Sequence, residues 1–271
     1  MSGTASPGAA ISTVIPCYRC KGTIRRAVSS VVNQSLRPTE LILVEDASRD
    51  GTLEVLEQLR REFGESWVKI IALAQNMGPA SARNAGWDAA SGRYVAFLDA
   101  DDAWHRRKLE VQREFLEAHP DVALCGHAYR RLSEGERAND ERLDEGQARS
   151  VTFGMLLLSN RFVTPSAMVR RELPLRFLAG RRYMEDHLLW LEIAASGRAV
   201  AYLDQRLVFT FKAATGGAGL SARTWEMRKG EIANFWHLWR ERRIGAATTV
   251  ALTGYSLVKH CARSVLRTLG I

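Results

Sequence analysis

The sequence predicts an α/β fold built on a largely parallel sheet, and three observations predict it. Short, continuous apolar runs recur at Ile11–Pro16, Leu41–Val44, Val68–Ala74 and Tyr94–Leu98. Segments with helical spacing lie between them. Acidic and polar residues gather where the runs end, not inside them. Strands that are apolar on both sides belong in a sheet covered by helices on both faces. Right-handed crossovers then place ligands beyond the carboxyl ends of the strands.

Taken in order, Ile11–Pro16 is the first strand, stopped by Pro16. Thr23–Gln34 has helical spacing, with Ile24, Val28, Val31 and Val32 on one side. Leu41–Val44 is the second strand and runs into Glu45-Asp46-Ala47-Ser48-Arg49-Asp50-Gly51-Thr52. There Asp50 is the expected N-cap of a helix carrying Leu53, Leu56 and Leu59. Val68–Ala74 is the third strand, Ala80–Ala90 the third helix and Tyr94–Leu98 the fourth strand. Beyond it the pattern loosens into a helix at Arg106–Ala118, a strand at Val122–Tyr129 and a polar loop at Ser133–Arg149. Phe153–Leu158 starts a helix, Thr164–Val169 is a strand, and His187–Ala195 is a helix entered through Glu185-Asp186. Residues 213–221 are rich in Gly and serve as either a lid or a connector. Two helices close the chain, Trp225–Arg243 and Ala246–Leu269. The first is expected to pack on the body through Ile232, Phe235, Trp236 and Trp239.

Composition narrows the function. The 271 residues are 46% hydrophobic and 25% charged, which is ordinary for a globular chain and not for a disordered one. Four Cys are too few for a disulfide scaffold. Cys17 and Cys20 have no second pair to complete a zinc site, so they read as incidental thiols. The net charge of +8 is unevenly spread. Residues 222–271 carry 9 basic and 3 acidic side chains, whereas 1–221 are nearly balanced. A nucleic-acid enzyme would spread basic residues around a groove, so nucleic acid drops out as a partner. Met1–Ala10 is a flexible start without the features of a signal peptide. No run is long and apolar enough to span a bilayer. A cytoplasmic protein is expected.

The strand ends carry the chemistry. The first ends in Pro16-Cys17-Tyr18, the second in Glu45-Asp46, and the fourth in Asp99-Ala100-Asp101-Asp102. Three acids this close repel one another when bare. A divalent cation with a preference for oxygen, Mg²⁺ or Mn²⁺, relieves the conflict and in turn binds a diphosphate. Asp46 can accept hydrogen bonds from a base or ribose, and Arg83 offers a planar cation to a phosphate or base edge. One or other of the acids also reads as a helix cap.

These residues carry a resemblance. Thr13–Tyr18, Val44–Thr52, Asn76-Met77-Gly78 with Ala82-Arg83-Asn84-Ala85-Gly86, the DxD-like Phe97–Asp102, and Tyr183–Leu191 around Glu185-Asp186 resemble, in the right order, the motifs of the family 2 glycosyltransferases. The resemblance spans roughly residues 11–212. It implies a GT-A fold, a Rossmann-like mixed sheet flanked by helices, here with a C-terminal helical extension. It divides residues 11–221 into a nucleotide-binding half (11–105) and an acceptor half (106–221), followed by a basic helical segment (222–271). It implies a metal-dependent, inverting transfer of a sugar from a nucleotide-sugar donor, a UDP-sugar above others, to a glycan or lipid-linked glycan. By the same resemblance Asp46 meets the nucleobase, Asp99 the ribose, and Asp101 the metal. Pro16, Tyr18 and Arg83 lie along the nucleotide, and Asp186 is the general base. Glu185, Asp102 and Lys212 are further candidates for donor-phosphate or acceptor contacts.

The sequence departs from that family's pattern in three places. Glu45 stands where many members have Asp, and Ala47 where many have Gly. After the Glu-Asp helix, Phe209–Ala214 offers Lys212 but not the His that often joins the metal. Two rivals share features of the chain. One is a sugar-phosphate nucleotidyltransferase, whose Gly-rich loop after the first strand is missing here; the other is a non-catalytic nucleotide-sugar-binding or scaffold protein. Dinucleotide oxidoreductases are disfavoured, since no G-x-G-x-x-G follows the first strand. In the last helix Lys259, Arg263 and Arg267 share one face, with Val258, Ala262, Val265, Leu266 and Leu269 opposite. That pattern suits 246–269 lying on an anionic membrane at its inner face, or docking on the body with a solvated basic side.

Overall fold

Neighbouring residues of a strand point to opposite faces, and both faces of the central strands are dry. In β2 (Glu40–Glu45), Leu41 and Leu43 enter one core layer while Ile42 and Val44 enter the other. The computed structural model describes residues 10–132, 143, 146–211 and 224–268, with side chains to residue 262. On one face, α1 (Ile24–Val32), α2 (Thr52–Phe63) and α4 (Lys108–Ala118) bury Val28, Leu56 and Leu109. On the other, α3 (Gly78–Asp88), α5 (Phe153–Leu158) and α6 (Glu185–Ala195) bury Trp87, Leu156 and Trp190. Gly86 of α3 is required by this packing, because a Cβ there would sit 2.4 Å from Val14 Cγ1 of β1 (Ile11–Cys17).

Among the described residues the sheet is nine-stranded and mixed. β3 (Val68–Ala72), β2, β1 and β4 (Tyr94–Phe97) run parallel in that order. β8 (Met168–Arg170) then adds antiparallel to β4, followed by β6 (Val122–Leu132), β9 (Ala199–Phe211) and β5 (Ala103–Trp104). β7 (Ala148–Ser150) pairs with β9. The parallel reading thus holds for the first four strands, and the mixed sheet implied by the family resemblance holds for the whole.

The short strands β5 and β7 have no counterpart in the sequence expectations, and three further differences stand out. The segment expected as a strand at Thr164–Val169 is a 3₁₀ turn at Thr164–Ser166 followed by β8 from Met168. β9, the longest strand, was not expected; its apolar pattern is broken by Asp204-Gln205-Arg206, near where its pairing with β6 shifts register. The third correction concerns the C-terminal helices. In α7 (Thr224–Arg240) Phe235 is buried as expected, but Trp236 and Trp239 are each 40% exposed. The face that packs inward instead carries Arg228, Gly230, Glu231, Asn234 and Leu238. α8 (Ala246–Thr268) docks on it, and Lys259 turns inward to Glu231 Oε1 at 3.2 Å instead of joining an outer basic face. Among the described residues no helix is long and apolar enough to cross a membrane. Residues 1–9, Lys212 and the Gly-rich loop lie outside the described residues, as do most of 133–145.

Candidate active site

The carboxyl ends of β1, β2 and β4 lie side by side, since Asp46 N–H donates to Cys17 O and Leu98 N–H to Val14 O. Glu45 does not face a ligand. Its carboxylate accepts from the amides of Ala47 (3.0 Å) and Ser48 (2.6 Å), closing the turn after β2. Ala47 and Arg49 there have φ of 53° and 54°, the left-handed region, so a Gly at position 47 relieves strain. The expected N-cap is displaced by one residue: Gly51, at φ 91°, is the N-cap of α2, and Asp50 before it accepts from Thr52 N (3.1 Å) and Oγ1 (2.7 Å).

Asp46 is 2% exposed and holds the start of α3. Its Oδ1 accepts from Met77 N at 2.6 Å, and its Oδ2 from Gly78 N at 2.9 Å and Asn76 Nδ2 at 3.0 Å. A carboxylate accepts about four hydrogen bonds, so one position on Oδ1 is left for a ligand. The Asn76-Met77-Gly78 motif therefore exists to be held by Asp46. Pro16 is half-buried at the end of β1, and Tyr18 is exposed beyond it with the Arg19 guanidinium over its ring.

Arg83 links the two sides of the site. It is 5% exposed, and it donates to Asp99 Oδ1 at 2.8 Å and to Glu185 Oε1 at 2.9 Å. Burial pulls its pKa down, but the facing carboxylates of Asp99 and Glu185 overcome that and hold it above the ordinary arginine value. Glu185 is itself buried and is raised by desolvation, with Arg83 opposing and Asp186 adding to the rise. The neighbouring Asn84 clamps the segment over this pair, through Phe177 N (3.0 Å) and Phe177 O (2.7 Å).

Of the Asp99–Asp102 group, Asp99 keeps 31% of its side chain exposed beside Arg83. Asp101 is exposed, and Arg26 donates to its carbonyl. Asp102 is buried and accepts from Phe211 N at 3.4 Å, so its carboxylate ties β9 to this strand end. Among the described residues no three His, Cys, Asp or Glu side chains form a closed metal cage. A hard cation completed by waters and phosphate oxygens needs only one or two carboxylates, and Asp101 beside Asp99 supplies that number.

Asp186 sits half-buried in the first turn of α6. Its Oδ1 accepts from the His187 amide at 2.7 Å, and Oδ2 from Thr164 Oγ1 at 3.1 Å and Asn160 Nδ2 at 3.4 Å. Burial raises its pKa against the pull of Arg83 and these donors. The turn that presents it is unusual: Met184 has φ 58°, and its carbonyl accepts from the buried Asn234 at 2.8 Å. Asn160, Thr164 and Asn234 were missed in the sequence. Each is a lone polar residue far along the chain from Asp186, and no local spacing marks it. Cys17 and Cys20 are buried and form no disulfide.

The mixed sheet flanked by helices, with carboxylates at the ends of β2 and β4, is the GT-A class of α/β fold. The chain belongs to glycosyl transferase family 2, whose model matches residues 12–176. The putative teichuronic acid biosynthesis glycosyltransferase TuaG of Bacillus subtilis (strain 168) is 42% identical over 106 residues, 39% of this chain and 41% of that protein. The glucosyltransferase WfgD of Escherichia coli, which acts from UDP-Glc on α-D-GlcNAc-diphosphoundecaprenol, is 31% identical over 68% of this chain and 69% of its own. The chain thus spans less than half of the first relative and about two thirds of the second. In fold, Staphylococcus aureus TarS (residues 1–349) with UDP-GlcNAc matches at a TM-score of 0.68, 20% identity, 93% of this chain and 72% of that one. The mannosyltransferase PcManGT of Pyrobaculum calidifontis, solved with GDP-Man and Mn²⁺, matches at 0.65, 18% identity, 98% of this chain and 81% of that one. The helices α6 to α8, and with them Asp186, lie beyond the matched family stretch.

Proposed function

We propose that this protein transfers a sugar from a nucleotide-sugar donor to an acceptor hydroxyl, in one displacement that inverts the anomeric carbon. One observation carries the reading. Asp186 is poised at the rim of the acid-lined strand ends and is wired to them through Glu185, Arg83 and Asp99. The acceptor oxygen attacks the anomeric carbon while its proton passes to Asp186. The bond from that carbon to the phosphate oxygen breaks, and the nucleoside diphosphate leaves with the electron pair. A carboxylate whose pKa is raised takes up a proton more readily, and its ionised form is needed to do so. Thr164 and Asn160 orient it towards the acceptor side.

On the donor side, Asp99 at the ribose, Tyr18 and Pro16 at the base, and the remaining acceptor position of Asp46 suit a nucleotide. Asp101 with Asp99 would hold Mg²⁺ or Mn²⁺, which supplies positive charge to the departing diphosphate. Arg83, tied to two carboxylates, serves by fixing Asp99 and Glu185. The relatives' names favour a UDP-sugar and an acceptor sugar on a diphospholipid. A lipid-linked acceptor fits placement at the inner, cytoplasmic face of a membrane, with contact through 246–269.

Asp186→Asn tests the base directly. The variant keeps nucleotide-sugar binding, measured as a rise in melting temperature with UDP-sugars and Mn²⁺. It loses transfer by a factor of about 10² or more. Loss of donor binding in that variant would place Asp186 on the donor side and overturn the assignment.

A further inference from the structure

The two C-terminal helices bury a mixed face, in which Phe235, Leu238 and Leu252 are joined by several polar residues. They leave a second set of aromatic and aliphatic residues outward. α7 buries Arg228, Glu231 and Asn234, while Trp225 is 48% exposed and Trp236 and Trp239 each 40%. Trp225, Lys229, Ile232, Trp236, Trp239 and Arg240 recur at offsets of 4, 7, 11, 14 and 15, which is one stripe of a helix. α8 repeats the pattern. It buries Thr249 and Ser256, and leaves Val250 64% and Val258 67% exposed. From Ala246 to Val258 it carries no charged residue. The inward polar groups are not loosely held. Glu231 accepts from Arg228, from Ser256 Oγ at 2.5 Å and from Lys259 Nζ at 3.2 Å, and Lys259 also donates to Leu158 O at 3.0 Å. The orientation of both helices is therefore fixed, and the outward apolar residues are held out.

We propose that the outward stripes of α7 and α8 are the face by which this protein sits on an anionic bilayer. Here the anchors are the α7 tryptophans and the bare aliphatic side of α8, not the basic face of 246–269. Trp is suited to the boundary between headgroups and acyl chains, where its ring is half-solvated and its N–H finds a partner. Between Trp225 and Trp236, with Lys229, Arg240 and Arg181 also lining it, lies an open groove of about 430 Å³. Its cations match lipid phosphates; Lys229 pairs with Glu226 at 3.0 Å on the exposed rim and lies over the Trp225 ring. Residues 222–271 carry 9 basic and 3 acidic side chains. With Arg228 and Lys259 engaged inward on Glu231 the segment still remains net positive, which draws it towards negative charge. A second copy of the chain fits less well, because a twofold contact on this stripe brings the exposed cations Lys229 and Arg240 of both copies into one interface. The proposal extends the membrane contact given above but does not depend on which sugar is moved.

The test is sedimentation of the full chain with vesicles of phosphatidylcholine, alone or mixed with phosphatidylglycerol. The wild type is expected to pellet with the mixed vesicles, with a blue shift of Trp emission. Trp225→Ser/Trp236→Ser/Trp239→Ser should weaken that binding roughly tenfold or more. Lys229→Glu/Arg240→Glu should remove the preference for phosphatidylglycerol. All five side chains are exposed, and the nucleotide-sugar shift in melting temperature, read on the same variants, reports the donor site separately. Three results would overturn the proposal: no pelleting of the wild type, pelleting of the triple Trp variant at wild-type affinity, or a dimer in solution that the Trp changes dissolve without any vesicle binding.

Discussion

The parallel half of the sheet with its helices and the C-terminal helical layer differ in what they put inside. In the first, α1, α2 and α3 bury Val, Leu and Trp against the sheet, and their charged residues stay at the strand ends or in solvent. In the second, Arg228, Glu231, Asn234 and Ser256 are interior, and Trp225, Trp236 and Trp239 are not. An apolar stripe read from sequence says that something apolar covers it. It does not say whether the cover is the protein's own sheet or another phase. Position in the chain gave the better clue, because the C-terminal helices are those that carry the charge surplus.

The largest expected effect breaks the link between the halves. Arg83→Met leaves Asp99 and Glu185 facing each other across a buried site without a cation. Breaking a buried pair of this kind costs about 3–5 kcal/mol. Because Arg83 fixes both the donor-side and acceptor-side acids, donor binding and transfer should fall together, unlike Asp186→Asn. Adding Glu185→Gln removes one stranded charge and should restore part of the stability in urea unfolding. No recovery in the double variant would mean that Arg83 acts mainly through packing on Phe177.

A smaller effect belongs to the sheet end opposite the site. Glu40 is buried and accepts from Ser12 Oγ (2.6 Å) and Ser91 N (2.6 Å), with Lys69 at 2.5 Å. Burial would raise its pKa, but Lys69, Ser12 and Ser91 outweigh that and bring it to about 2. Its unfolded value is ~4.3. The folded value is depressed, so its stabilisation is complete above ~4.3 and is lost as pH falls towards 2. Glu40→Gln should cost about 2 kcal/mol at neutral pH. The variant and wild-type unfolding curves should converge in acid; a pH-independent gap would show that the carboxylate charge is not what matters.

What could be read from the sequence follows from how local each cause is. The first four strands, their helices and the Asp46, Asp99 and Asp101 positions were legible, because each strand end and the motif after it are contiguous. Asp46 holding Asn76, Met77 and Gly78 was not, since it joins residues some thirty positions apart. β9 was hidden by its polar centre, Asp204–Arg206. Lys108 lies in the expected helix at Arg106–Ala118 without any local sign of its place: it is fully buried over the Trp104 ring at 3.8 Å, and desolvation drives its pKa well down. Facing direction in α7 was misread because Phe235 and Trp236, adjacent in sequence, belong to different sides.

The smallest effect tests whether the C-terminal layer serves the site as well as the surface. Asn234 is fully buried in α7, and its amide donates to Met184 O at 2.8 Å while its oxygen accepts from Arg181 at 3.3 Å. Met184 stands in the left-handed region immediately before Glu185 and Asp186. Nearby, a Cβ on Gly230 would lie 2.7 Å from Tyr183 O, so α7 touches this turn with backbone as well. Asn234→Ala removes the amide without adding bulk, and should cost about 1 kcal/mol in stability. A positioning role predicts more than that loss. With Asp186 less firmly presented, kcat should drop several-fold while the donor-dependent rise in melting temperature keeps its size. If kcat is unchanged at a temperature where the variant is fully folded, α7 holds the turn for stability alone, and the C-terminal layer is a docking surface without a share in the chemistry.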